Sequence, residues 1–469
     1  MRQTNNILLI TFDQMRGDWI QEKNRIIDLP NIFKLARQGR NYEKCYTNSP
    51  QCVPARLSWI TGKNPSTLGI TTNQNVDINN SASSIILDLQ KKGWTTSLIG
   101  KTHWTRHEAG KDLKNNEILM HEIGFDNILE ICGPRALAKV KCVLTEEWEK
   151  IGMLDIYKQD MKKRYGSGRT KNTWEARETV LPNEYYPDIW IANRAIEKLK
   201  FLKQTKPWFL WISFVGPHEP FDTPQPWSLL GHKIESSIAE SEWINELKDT
   251  NSLKRQARKW SNTFTSQEAI EFRDNYAANL ILLDEQVGRI CNALSLRADE
   301  GRTTIAITSD HGEMLGDHGL LYKSTFLEPS INVPFIVYEP KENQDIQTRA
   351  STNPFNTTQA LKALINGHSK GLGTSKLKNY VAKSKEAIIE YEDEICYVGN
   401  KYKIMLNQFG EAEWAIDLEK DKQEIRNLIS ENLTPKEETM IDNQIRKAKL
   451  KWAKRKRNQG RYSHYISKY

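Results

Sequence analysis

Four short apolar runs, each handing the chain over to a cluster of polar residues, constrain this sequence more than any other feature. Asn6 to Phe12 ends in Asp13-Gln14, and Thr95 to Ile99 ends in Gly100-Lys101-Thr102-His103. Trp208 to Phe214 runs into Gly216-Pro217-His218-Glu219-Pro220, and Thr303 to Thr308 into Ser309-Asp310-His311-Gly312-Glu313. Runs so short and so uniformly apolar read as strands buried on both faces, as in a parallel sheet. Helical stretches separate them. Leu29-Pro30-Asn31 opens one through Ile32, Leu35 and Ala36, closed by Gly39. Ser84 to Lys92 and Ile189 to Leu202 also carry the helical period, and a Thr265–Glu268 capping box starts a long helix through Leu283, Val287 and Ile290. The alternation predicts an α/β fold, a mostly parallel sheet flanked by helices. Ligands of such sheets bind beyond the carboxyl ends of the strands, so the four polar clusters are expected to converge on one site.

Composition narrows the class. With 469 residues, 38% hydrophobic and 27% charged, the chain can bury a large core under a polar surface, and its length allows about two or three domains. No apolar run is long enough to span a membrane, so none is expected as a partner. Ile7 to Ile10 is too short for the core of a secretory signal. The expected location is therefore cytoplasmic, or periplasmic or secreted if a leader has been trimmed. Cysteines 45, 52, 132, 142, 291 and 396 lack the close spacing of a zinc site and the density of a disulfide scaffold, so they read as mostly reduced and structural. The net charge of +8 arises largely from Lys447, Lys449, Lys451, Lys454, Arg455, Lys456 and Arg457. Such a run reads as the solvated face of a helix, and nucleic acid is not an expected partner.

The chemistry is concentrated between Ser49 and Gly62, where Cys52, Pro54 and Arg56 stand in a Cys-x-Pro-x-Arg pattern. Pro54 suits the first turn of a helix, and the amides at that turn face Cys52, where an anion is welcome. This stretch resembles the signature of the sulfatase family. Asp13, Gly100-Lys101-Thr102-His103, His218-Glu219-Pro220-Phe221 and Thr308 to Gly319 match the family's remaining motifs in order. Tyr276 to Ile290 resembles its helix before the last motif strand, and Trp414 to Leu428 its closing turn. The resemblance thus covers nearly the whole chain. It implies an alkaline-phosphatase-like α/β domain over residues 1–375, with a small C-terminal α+β subdomain over 376–469. The boundary is expected near the Gly/Ser/Lys-rich stretch from Gly371 to Lys385. Beyond it, Ala387 to Tyr391, Ile395 to Val398 and Tyr402 to Leu406 read as antiparallel strands ahead of the basic helix.

The same resemblance implies the activity, hydrolysis of a sulfate ester, and a maturation enzyme that converts Cys52 to formylglycine. The substrate's anionic group calls for a hard cation and several positive donors. Asp13, Gln14, Asp310 and His311, with oxygen from the modified Cys52, would hold that cation. Carboxylate ligands favour Ca2+, with Mg2+ next. Asp13-Gln14 departs from the two consecutive aspartates of many members, and His311 stands where many have Asn. One imidazole in place of a carboxylate also suits Mn2+, as in the family's phosphonate and phosphodiester hydrolase branch. By the same resemblance, Arg56 helps hold the attacking hydroxyl ionised. His218 and Lys323 protonate the leaving alcohol, His103 takes a proton from the second hydroxyl, and Lys101 binds sulfate oxygens with Asn73.

Two other readings compete. A phosphodiester or phosphonate monoester hydrolase on the same fold would explain Gln14 and His311. A non-catalytic anion-binding or nucleic-acid-binding protein would explain the basic end, but the main catalytic positions are all filled. Sulfated saccharides are the expected substrates, with small aryl or choline-like sulfates next. Residues from about Trp104 to Asp188 read as a lid over the leaving group. Trp148, Trp174, Trp227, Trp243 and Trp260 are placed where they could line a cleft, although core packing is the simpler reading.

Overall fold

The computed structural model describes residues 6–24, 26–74, 84–166, 172–231, 238–260, 263–340 and 353–466, with side chains to 457. Its central sheet has seven strands: β1 (Asn6–Asp13), β2 (Arg40–Asn41), β3 (Thr95–Lys101), β4 (Asn127–Ile131), β5 (Trp208–Pro217), β6 (Thr303–Ser309) and β7 (Phe335–Tyr338). Their spatial order is β2-β7-β6-β1-β5-β3-β4. The four apolar runs are the four central strands, mutually parallel, and only the pairings of β7 with β6 and β2 are antiparallel. In β1, Ile7 lies beside Phe209 of β5 and Thr304 of β6, and Phe12 ends opposite Ser309. This register delivers Asp13, Lys101, His218 and Asp310 to one edge of the sheet.

Both faces of β1 are buried, as its uniform apolarity requires. The main helices are α1 (Pro30–Gln38), α2 (Cys52–Thr61), α3 (Pro187–Phe201), α4 (Ser266–Ser295), α5 (Thr357–His368), α6 (Ser375–Lys383) and α7 (Pro435–Ile466). Leu8, Ile10 and Phe12 pack into one core with Ile191 and Ala195 of α3 and Leu283 and Val287 of α4. Ile7 and Leu9 point the other way, into a core with Leu57 and Ile60 of α2 and Leu361 and Leu364 of α5. The capping box of α4 forms as expected: the Glu268 N–H donates to Thr265 Oγ1 at 3.2 Å, and the Thr265 N–H to Glu268 Oε2 at 2.7 Å. Asp284, within α4, caps α1 by accepting from the Ile32 N–H at 2.7 Å. Its place in the motif is explained by this contact between helices.

A second sheet follows, an antiparallel meander of β8 (Ala387–Tyr391), β9 (Glu394–Val398), β10 (Tyr402–Leu406) and β11 (Ala412–Asp417). Ile441 and Ala448 of α7 cover it. Lys403 of β10, fully buried, bridges Glu328 of the large domain at 3.1 Å and also meets Glu424. A buried charge is tolerated only when paired in this way.

Some expectations need adjustment. Only Leu87–Gln90 of the stretch Ser84 to Lys92 is helical, because the Ile85 N–H donates to Ile60 O at 2.9 Å and turns the chain over the end of α2 first. The lid-like segment contains β4, an edge strand whose first residue is exposed and next two half-buried, and which therefore lacks the uniformly buried pattern of the central strands. Gly371 to Lys385 includes α6, whose Leu377 and Val381 pack into the same core as α5. All five tryptophans singled out above are buried, from 0% exposure at Trp148 to 9% at Trp174 and Trp227. All six cysteines are free thiols. Among the described residues no helix is long and apolar enough to cross a membrane.

Candidate active site

The site begins with α2. Its first residue is Cys52, Pro54 occupies the first turn, and Gly62 in the left-handed conformation ends the helix (φ 66°). The exposed N–H groups of the first turn need acceptors. Asn73 supplies one, its Oδ1 accepting from the Val53 N–H at 3.0 Å, while Gln51 Oε1 accepts from the Asn73 N–H at 2.7 Å. Asn73 therefore orients the helix start, and it also lines a cleft of about 340 Å³ beside His103 and His107.

Around Cys52 the strand ends meet. Asp13, Cys52, Asp310 and His311 offer ligand atoms that all lie within 4.8 Å of one another, every one of the four residues buried. His311 Nδ1 donates to Gly312 O at 3.0 Å, which turns Nε2 toward Cys52 Sγ at 3.2 Å; burial opposes the charged ring, but Asp310 and Cys52 raise its pKa, and a cation bound there would take the place of the Nε2 proton. Two carboxylates, an imidazole nitrogen and the Cys52 side chain form a donor set that fits a divalent cation. Gln14 is adjacent. Its backbone N–H donates to Asp310 Oδ1 at 3.1 Å, and its side-chain Oε1 faces Lys323 Nζ at 2.9 Å. Its amide nitrogen is held by Glu219 at 2.9 Å and by Glu313.

Arg56 is the clamp of this group. Nε donates to Asp310 Oδ2 at 2.7 Å and Nη2 to Asp13 Oδ2 at 3.2 Å, while Nη1 reaches Lys101 O and Ser213 Oγ, both at 2.9 Å. Lys101 ion-pairs with Asp13, and a Cβ on Gly133 would stand only 2.9 Å from its Nζ, so Gly133 leaves the space the ammonium occupies. Lys323 Nζ lies 3.0 Å from Cys52 Sγ and 4.0 Å from Asp13 Oδ1. His218 Nδ1 donates to Glu219 O at 2.7 Å, which leaves Nε2 without a proton in the neutral ring. His103 stacks on His107 with centroids 4.6 Å apart, and its buried Nδ1 has no hydrogen-bond partner among the described residues.

The charge balance explains the titration of these groups. Burial and Asp13 push the Cys52 thiol up, but Lys323, Lys101 and His311 together bring it down to about 5. Burial would raise Asp13, yet Lys101, His218, Lys323 and Arg56 hold it well below the usual carboxylate range. Burial and the like charge of Asp13 raise Asp310 despite Arg56. Burial would lower Lys323, and the charges of Cys52, Asp13 and Glu219 raise it. Burial and the neighbouring lysines bring His218 down to about 3, and burial and Lys101 lower His103. Gln14, His103, Tyr322 and Ser324 all adopt positive φ, between 59° and 75°. Such backbone strain costs about 1–3 kcal/mol per residue and gathers at functional sites.

Asp13, Gln14, Arg56, Lys101, His218, Asp310, His311 and Lys323 thus gather around Cys52, and Asn73 and His103 line the cleft beside it. Glu219, Glu313, Ser213, Gly133 and Arg135 were not anticipated. Glu219 and Glu313 were visible within motifs but carried no assignment, since their contact with Gln14 spans some 200 and 300 residues of sequence. Gly133 and Arg135 follow the carboxyl end of β4, so recognising that strand would have flagged them.

A family model described as Sulfatase matches residues 5–366. The chain is 28% identical over 461 residues to an arylsulfatase of Clostridium perfringens, covering 91% of this chain and 90% of that one. Its fold resembles the phosphonate monoester hydrolase of Agrobacterium radiobacter, with TM-score 0.72, 17% identity and 96% of each chain covered. It also resembles a protein solved in complex with its substrate D-glucosamine-2-N,6-O-disulfate, with TM-score 0.67, 16% identity, and 96% and 99% covered.

Proposed function

The chain belongs to the sulfatase family and is a sulfuric ester hydrolase, and from that premise we propose that it cleaves a sulfated saccharide, using a formylglycine made from Cys52 and a divalent cation held beside it. The observation that carries this reading is the meeting of Cys52 Sγ, Asp13, Asp310 and His311 within 4.8 Å at the start of a buried helix. Asp13, Asp310, His311 and the oxygen of the modified Cys52 would hold the cation, with the adjacent Gln14 amide oxygen as a further candidate ligand. Ca2+ is the first choice, Mg2+ or Mn2+ the next. Bound there, the cation would neutralise charge on the sulfate oxygens and favour an ionised hydroxyl at position 52. The formylglycine hydrate would supply the hydroxyl that attacks sulfur and a second one whose deprotonation expels sulfate and restores the aldehyde.

The remaining steps fall to this chain's own side chains. Lys101 and Lys323 neutralise the sulfate oxygens. Lys323, in direct contact with Cys52 and charged, is the proton donor to the leaving oxygen, with His218, whose pKa burial and the Lys323 charge lower, as the second candidate. The neutral His103 accepts the proton of the second hydroxyl. Arg56 touches no leaving group and acts by fixing both aspartates. Cys52 and Arg56 are only 2% and 1% exposed, so the maturation enzyme must read them before the chain folds.

A phosphodiester or phosphonate monoester hydrolase is the second reading, supported by Gln14 and His311 at the cation site and by the fold neighbour of that activity. Turnover of an aryl sulfate against an aryl phosphodiester, by protein produced together with a maturation enzyme, decides between them. A kcat/KM higher for the sulfate supports the first reading, and the reverse order supports the second.

A further inference from the structure

The reaction proposed above is served by Arg56, Lys101 and Lys323, yet the mouth of the site carries further cations. β4 lies at the sheet edge beside β3, and the residues after its carboxyl end, Cys132-Gly133-Pro134-Arg135, turn back over the site. Gly133 makes room for Lys101 there. Two residues on, Arg135 ion-pairs with Glu219, which also accepts from Gln14 and adjoins His218. Arg135 is therefore linked through Glu219 and Gln14 to Lys323 and Cys52.

The side chain is held without being fully covered. Its carbon lies 4.2 Å from the centre of the Tyr165 ring and 5.4 Å from that of Tyr322, the residue before Lys323. Stacking of this kind restrains the arginine's long stem, so little entropy is lost when a ligand binds. Even so, its side chain remains 44% exposed, while that of its partner Glu219 is 3% exposed.

A second cation lies close by. Lys259 Nζ sits 4.7 Å above the Trp260 ring, and burial together with the like charge of Arg135 lowers its pKa. Trp260 packs edge-on against Tyr322 at 5.2 Å. It is 7% exposed, and its Nε1 has no hydrogen-bond partner among the described residues. Glu219 thus pairs with Arg135 and also attracts Lys259.

We propose that Arg135, supported by Lys259, is a specificity-determining residue that binds a second anionic group, a carboxylate or another sulfate, on the leaving-group side of the substrate. The proposal rests on the sulfate-ester reading and narrows it to acidic substrates. A cationic choline-like leaving group would meet two positive charges at this mouth.

The test uses matched esters with the same leaving oxygen. 3-(4-Sulfooxyphenyl)propanoate and its neutral amide differ only in a carboxylate; N-sulfo- and N-acetyl-glucosamine 6-sulfate differ in a second sulfate. The wild-type enzyme should favour the acidic member of at least one pair, and the pair favoured identifies the group recognised. Arg135→Gln should reduce that preference by about 10- to 100-fold, the worth of a charge-assisted hydrogen bond, mainly through KM, and Arg135→Lys should restore part of it. Wild-type indifference within both pairs, or equal loss on both members in Arg135→Gln, overturns the proposal. Failure of the sulfatase reading shows separately, as no turnover of any sulfate ester. Calorimetric binding of 3-(4-hydroxyphenyl)propanoate and of N-sulfoglucosamine to wild type and Arg135→Gln then decides: binding of either weakened by the substitution supports the assignment, and binding of neither, or no weakening, rejects it.

Discussion

Arg56 joins Asp13 to Asp310, with Nε 2.7 Å from one carboxylate and Nη2 3.2 Å from the other, all three side chains buried. A lysine has no fork with which to span both. Arg56→Lys should therefore release one aspartate and weaken cation binding by about 10- to 100-fold, as expected for a residue that orients ligands. Arg56→Ala takes the guanidinium from buried Asp310, while Asp13 keeps Lys101, and should cost about 3–5 kcal/mol of stability in the cation-free protein. Added divalent cation should recover part of that loss, read as a rise in Tm. Unchanged cation affinity in Arg56→Lys would show that the clamp is incidental.

Asp13→Asn and Asp310→Asn should each abolish bound divalent cation and activity together. Both carboxylates offset the cation's charge in a site that already holds Arg56, Lys101 and Lys323. Elemental analysis of purified protein is the check. Full cation content in both variants would remove these residues from the ligand set.

Leaving groups discriminate the acid. Lys323→Ala should slow sugar sulfates, whose alkoxides depart poorly, far more than activated aryl sulfates, and should raise KM for both. His218→Ala should show a weaker bias, since its Nδ1 proton is committed to Glu219 O. A larger bias in His218→Ala than in Lys323→Ala would exchange the two roles. His103→Ala should release one equivalent of alcohol and then stall, visible as a burst.

How much of this was legible beforehand depended on the range of the contact. The four central strands and the residues they deliver follow from local apolarity and motif order, and so the groups around Cys52 could be named. β4 could not: its Asn127 is exposed and Ile128 and Leu129 are half-buried, as suits an edge. Arg135, at its end, was lost with it. The clamp by Arg56 was hidden for another reason. Arginine in that motif is equally suited to touching sulfate, and only the packed strand ends show that its donors are taken by Asp13, Asp310, Lys101 O and Ser213. The Glu219–Gln14–Glu313 contact likewise joins three separate strand ends.

Stability should depend on pH through Glu394, remote from the cation site. Burial raises its pKa from 4.5 to about 7, although Ser252 donates to it from both its N–H and its hydroxyl. The folded state thus binds the proton more tightly than the unfolded chain. Its contribution is complete below about pH 4.5 and is lost as pH rises through about 7, an effect on the order of 3 kcal/mol. Urea midpoints should accordingly fall between pH 5 and 8 more steeply in wild type than in Glu394→Gln. Parallel profiles for the two proteins would show that Glu394 ionises in the fold as it does in water.

The central claim is that Cys52, at the start of α2 and within reach of Lys323 and His311, becomes the catalytic group after oxidation. The direct measurement is the mass of the peptide spanning position 52, taken from active protein made with a maturation enzyme, and its activity compared with that of Cys52→Ala. The account predicts an aldehyde in place of the thiol, in proportion to activity, and a Cys52→Ala protein that folds and turns over no ester. An intact thiol in fully active enzyme, or activity in Cys52→Ala, would contradict it.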